Sequence, residues 1–129
     1  MIGALTTRQE VEAFIATYKT VFETLDPSRI VKFYGAPLFG LSASVAAALR
    51  TPEEVMQNFV KVTDDFRSAG LSSADYEILP HRCVSESILE IPVNWVLKRA
   101  DGSILNHLNV VYVLWRAAAG WLITAVYTV

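Results

Sequence analysis

The sequence predicts an α+β domain, with a curved mixed or antiparallel sheet wrapped around three N-terminal helices and closing on an apolar pocket. Three observations carry that expectation. Helix signals are confined to the stretch before Gly70. After it the chain reads as four runs of strand-type residues. Between two of these runs lies Asp101-Gly102, a hairpin signal, because glycine tolerates the positive φ of a tight turn.

The elements follow in order. Thr7 and Glu10 fit a capping box, in which hydroxyl and carboxylate satisfy the free N–H groups of a helix start. Val11, Phe14, Ile15, Tyr18, Phe22 and Leu25 then recur at helical spacing and make one face apolar. Asp26-Pro27 predicts the next start, with Asp as N-cap and Pro where no N–H is needed. This second, short helix carries Ile30, Val31, Phe33 and Tyr34 and ends at Gly35, before Pro37. From Pro37 to Arg50, Leu38, Phe39 and Leu41 suggest a short strand; Val45 to Leu49 fits a helix by propensity or a second short strand, with strand or irregular chain favoured. Thr51-Pro52-Glu53-Glu54 starts a third helix lined by Val55, Phe59, Val62 and Phe66 and closed by Gly70. Strands are expected over Ala74–Val84, Ile88–Arg99, Ile104–Arg116 and Trp121–Val129. With no repeat, linker or low-complexity tract, residues 1–129 are read as a single domain.

Turn length sets which way each strand faces. A two-residue turn at Asp101-Gly102 pairs Val93 with Val110 and Ile91 with Tyr112, and a four-residue turn pairs Arg116 with Trp121. Cross-strand partners share a face. The inward face then carries Leu89, Ile91, Val93, Trp95 and Leu97, with Asn106, Leu108, Val110, Tyr112 and Leu114, and with Trp121, Ile123, Ala125, Tyr127 and Val129. The outward face carries Glu90, Pro92, Asn94, Val96 and Lys98, with His107, Asn109, Val111, Val113 and Trp115, and with Leu122, Thr124, Val126 and Thr128. One bulge would exchange the faces beyond it.

Bulk properties narrow the function classes. The 129 residues are 53% hydrophobic and 19% charged, with mean hydropathy +0.35, which is apolar for a small monomer. No stretch reaches the roughly 20 apolar residues of a spanning helix, so an oligomer that hides apolar surface is the expectation, and no membrane partner. The net charge of −2 and the lack of a basic cluster argue against nucleic acid. Met1 to Leu5 show no secretion signal, and a cytoplasmic location is expected by default. Cys83 is the single cysteine and the histidines number two, which excludes an intrachain disulfide and a multi-histidine or cysteine-rich metal site.

The segment Asp26 to Tyr34, the helix start Thr51 to Val55 and the ending Gly120-Trp121-Leu122-Ile123 resemble the nuclear transport factor 2-like superfamily. Over nearly the whole chain the likeness is to its SnoaL-like and ketosteroid-isomerase-like branches. The resemblance implies a cone-shaped sheet and admits isomerases, dehydratases, cyclases, epoxide hydrolases and proteins that only bind or assemble. Isomerases of this type keep a Tyr in the first helix, near Tyr18. Where their general base is an Asp, this chain reads Leu41-Ser42-Ala43-Ser44; where their second acid lies, it has Tyr112 or Val111. Inward positions offer no Asp-Arg-Asp set of the epoxide hydrolase kind.

The candidate residues follow. Tyr18, Tyr34, Trp95, Tyr112, Trp121 and Tyr127 are expected to line the pocket, with at least one phenol reaching it. His107, Asn109, Val111, Val113, Trp115, Thr124 and Val126 are expected to form a homodimer interface on the outer sheet face. His81 is the weak catalytic candidate. If Val84 pairs with Ile88, then Glu77, His81 and Cys83 point inward; the shifted register sends Tyr76, Ile78 and Arg82 inward instead. The leading expectation is a homodimer binding a small apolar ligand, with no cofactor. The alternatives are an isomerase, dehydratase or cyclase using His81 or a pocket Tyr for proton transfer, and a structural dimerisation module.

Overall fold

The structure, a computed structural model, describes residues 7–129; the reading of Met1 to Leu5 falls outside them. Helix α1 spans Arg8–Phe22, and its capping box forms as expected: Glu10 N donates to Thr7 Oγ1 at 3.2 Å, and Thr7 N to Glu10 Oε1 at 3.3 Å. Val11, Ile15, Tyr18 and Phe22 turn inward. Helix α2 is Pro27–Ile30, capped by the Asp26 carboxylate, which accepts from Ser28 N at 3.0 Å. A single 3-10 turn, Val31–Phe33, follows.

Strand β1, Tyr34–Leu41, begins one residue earlier than helix spacing suggested. Tyr34 is therefore its first residue and no part of a helix. Its backbone has a partner in Ile123, and tertiary pairing outweighs local helix propensity. Strand β2 is Ala46–Leu49, and α3 is Pro52–Ala69, ended by Gly70 at φ +90°. Strands β3 (Leu71–Ile78), β4 (Arg82–Cys83), β5 (Ile88–Arg99), β6 (Ile104–Ala117) and β7 (Gly120–Thr128) complete the chain. The seven strands form one open sheet in the order β2-β1-β7-β6-β5-β3, with β4 beside β5. Among the described residues only β1 and β7 pair in parallel.

The expected register holds through the β5–β6 hairpin: Ile91 pairs with Tyr112 and Val93 with Val110. It is reached by another route. Arg99 N donates to Ser103 O at 2.9 Å, so the loop is the three residues Ala100-Asp101-Gly102, with Gly102 at φ +86°. The one-residue offset this creates is removed by an extra residue, Leu105, between the pairs Lys98–Ile104 and Leu97–Asn106.

Two other irregularities change the facing. In β7, Leu114 pairs with Ile123 but Val113 with Ala125, so Thr124 is a bulge and every later residue is reversed. Val126 and Thr128 face inward, and Tyr127 faces outward opposite Val111. Along the other flank of β5, Tyr76 pairs with Trp95 and Ile78 with Val93, while Cys83 pairs with Leu89. Both registers considered for this segment occur, one on each side of a break at residues 79–81.

The inner face and the helices share one core, in which Ile15, Ile30, Ile91, Val93 and Ile123 have essentially no exposure. Polar straps tie the helices to the sheet and to one another. Arg8 donates to the carbonyls of Ile78 and Leu79, Arg67 to Leu25 O at 2.7 Å, and Ala74 N to Glu23 Oε2 at 2.8 Å. The interior is aromatic-rich and the architecture is an α+β cone.

Gly70 supplies the left-handed residue that lets α3 turn directly into β3. Gly70→Ala should lower stability by about 1–2 kcal/mol, read from the midpoint of urea denaturation. Ile123→Ala should cost about 2–5 kcal/mol, because a buried side chain leaves a cavity.

Candidate functional site

Between α3, the β1–β2 pair and the inner face of the sheet lies a cavity of about 370 Å³. Leu38 and Gly40 of β1 and Ala47 and Leu49 of β2 form one wall. Asn58, Phe59, Val62 and Phe66 of α3 form a second, and Leu108, Val110, Val126 and Thr128 a third. The floor is Tyr18, Tyr34, Trp95 and Tyr112.

Tyr18 is the hub of that floor. Its ring lies 5.3 to 6.2 Å from those of Phe22, Phe33, Tyr34, Trp95 and Tyr112. Helical spacing along α1 aims it at the sheet, and strand alternation aims Trp95 and Tyr112 back at it. The polar atoms then meet in the middle. Tyr18 and Tyr34 share a hydroxyl–hydroxyl bond of 2.5 Å, and Trp95 Nε1 donates to the Tyr112 hydroxyl at 3.0 Å. Burial pushes all three phenols well above the ordinary value near 10; charge repulsion from a neighbouring phenolate adds to this, while hydrogen bonds accepted from neighbours partly oppose it. All three are thus neutral hydrogen-bond donors at physiological pH.

The remaining polar lining is Ser42, Asn58 and Thr128; the lining contains no histidine, lysine, arginine or carboxylate. Among the described residues, no three His, Cys, Asp or Glu side chains gather where they could hold a metal. The site can enclose an apolar body and offer it neutral hydrogen bonds. It holds no group that would take up a proton near pH 7.

Other candidate residues lie elsewhere. Trp121 packs at the core edge under the Arg116 guanidinium, 4.5 Å from its ring centroid, and Tyr127 is on the outer face; neither lines the cavity. His81 is half-buried in the break between β3 and β4, also outside the lining. His107 and Asn109 are exposed on the outer face opposite Val96 and Asn94, and Val111, Val113 and Trp115 follow them there. Thr124 is at the bulge, its hydroxyl on Pro37 O at 3.3 Å, and Val126 has moved to the cavity. The contributions of Ser42, Asn58 and Thr128 were not read from the sequence. Asn58 had a signal, a polar residue beside Phe59 on an apolar helix face; Thr128 had none without the bulge.

A family model described as NTF2-like protein (DUF6841) matches residues 9–129. No curated protein matches the chain. Among solved structures, an NTF2-like protein of unknown function from Shewanella oneidensis superposes with a TM-score of 0.73 at 14% identity, covering 92% of this chain and 94% of that one. A ketosteroid isomerase-like protein from Erwinia carotovora gives 0.66 at 17%, covering 92% and 91%. An NTF2-like protein with a cystatin-like fold from Novosphingobium aromaticivorans gives 0.68 at 13%, covering 94% and 79%. At these identities the likeness is one of fold.

A phenol with a raised folded-state value is neutral in both states below about pH 10, so it adds no pH dependence there. Above that point the unfolded chain ionises while the folded one resists, and stability falls as pH rises toward the folded values. Urea midpoints should be unaffected by these phenols from pH 7 to 9 and drop above about 10. Phenolate absorbance from Tyr18, Tyr34 and Tyr112 should appear together with loss of the far-ultraviolet signal.

Proposed function

We propose, on the premise that the chain belongs to the NTF2-like family DUF6841, that it is a binding domain for a small, uncharged, largely apolar molecule. The observation that carries this reading is the composition of the cavity: about 370 Å³, walled by aliphatic and aromatic side chains, with only neutral polar groups. That volume lies within the range of ligand sites, and burial of an apolar body there supplies most of the affinity. The isomerase, dehydratase or cyclase alternative is less well supported. It requires a base, but His81 lies outside the lining and the pocket phenols hold their protons.

A second reading, self-association through the outer face of the sheet, is favoured by what that face exposes. Phe39 (45%) and Trp115 (52%) are exposed, and Ile88, Val111, Val113, Leu122 and Tyr127 extend the apolar surface between them. A contiguous apolar area of this kind is what a homodimer covers.

A neutral fluorescent probe such as N-phenyl-1-naphthylamine should bind saturably at one per chain. Val62→Trp at the cavity wall should abolish the binding without lowering the melting temperature. Absence of saturable binding would remove the ligand reading. Sedimentation at micromolar concentration should give a dimer that Trp115→Glu converts to monomer; a wild-type monomer would remove the second reading.

A further inference from the structure

The floor of the cavity has one hydrogen-bond donor too many. Tyr18, Tyr34 and Tyr112 bring three O–H groups, and Trp95 brings one N–H, which can only donate. The four groups stand in a row: Trp95 bonds to Tyr112, Tyr112 lies against Tyr18, and Tyr18 bonds to Tyr34. A row of four has three links at most. At least one proton therefore has no acceptor within the group, and no bond beyond the row is made by these hydroxyls among the described residues.

The indole decides where that proton falls. It fills one acceptor position of the Tyr112 oxygen and leaves that O–H to point onward, to Tyr18, which points to Tyr34. Hydrogen bonds aligned head to tail in this way polarise and strengthen one another. The reversed row would leave the Tyr112 proton without an acceptor at the more deeply buried end, where it costs most. The spare donor is the Tyr34 hydroxyl, on a half-buried residue of the cavity lining.

We infer that the cavity selects neutral molecules that present a hydrogen-bond acceptor, a carbonyl or ether oxygen, to the Tyr34 hydroxyl, with Trp95 as the positioning residue that sets the direction of the row. This rests on the reading of the cavity as a ligand site and specifies which apolar molecules it prefers. Molecules of the same shape whose buried end is hydrocarbon leave the Tyr34 proton unpaired and bind less tightly.

Two probes of matched shape test it: 2-acetylnaphthalene, with a carbonyl, and 2-isopropenylnaphthalene, with a methylene in its place. By calorimetry the wild type should bind the ketone roughly fivefold more tightly or better, the worth of one net hydrogen bond. The infrared carbonyl stretch of the bound ketone should lie below its position in hexane. Tyr34→Phe should abolish or invert the preference and return the stretch to its hexane position. Trp95→Phe, which frees the row to run either way, should reduce both effects.

Binding of both probes without preference for the ketone would overturn the donor while leaving the cavity as a ligand site; binding of neither would remove the site and this inference together. A preference unchanged in Tyr34→Phe overturns the assignment to Tyr34, and one unchanged in Trp95→Phe overturns the role of the indole. If Tyr34→Phe does not fold, the stretch in the wild type decides. A lowered value supports the inference, and an unshifted one overturns it.

Discussion

The pairing of β5 with β6 is the constraint from which the rest of the molecule is measured. It runs from Leu97–Asn106 to Ile88–Trp115 with a single register. Slipped by one residue, it would turn Leu89, Ile91, Val93, Trp95 and Leu97 from the helices to water and bring Glu90, Asn94 and Lys98 inside. β7 takes its place from β6, β3 from β5, and parallel β1 from β7. The helices then close over whatever inner surface those strands present.

Most of the frame was legible because it rests on local chemistry. The capping box at Thr7, the Asp26-Pro27 start and the Gly70 stop depend on neighbours a few residues apart. The β5–β6 register was read correctly for a reason only half right, since the longer loop and the extra Leu105 cancel. Where residues far apart decide, the sequence was silent. Nothing beside Thr124 marks a bulge; it arises where β7 must pair with β6 on one side and β1 on the other. For that reason Tyr127 and Val126 were read on exchanged faces. The break at residues 79–81, with Pro80 inside it, lets both of the registers open to this segment coexist.

The cavity lies where α3, the β1–β2 pair and the inner face of the sheet do not meet. An ordinary core would fill that space with methyl groups. Here the phenols and indole of the floor bond to one another, and Ser42, Asn58 and Thr128 add the remaining polar atoms of the lining. Apolar walls with a few neutral polar atoms suit recognition by shape and a single directed bond. Proton transfer would need a different set of groups.

The bulge at Thr124 has a consequence for how such a pocket can change over generations. Substitutions alter one position at a time and leave each side chain on its own side of the sheet. Loss of the bulge at unchanged length does something else: with Thr124 drawn into regular pairing, Ala125 and Tyr127 take the inward places of Val126 and Thr128 as a block. The same step remodels the cavity wall and the outer apolar surface together. For a fold whose members differ so widely in sequence, gain or loss of a bulge in this strand offers an abrupt route to a differently lined cavity, with the β5–β6 hairpin left undisturbed.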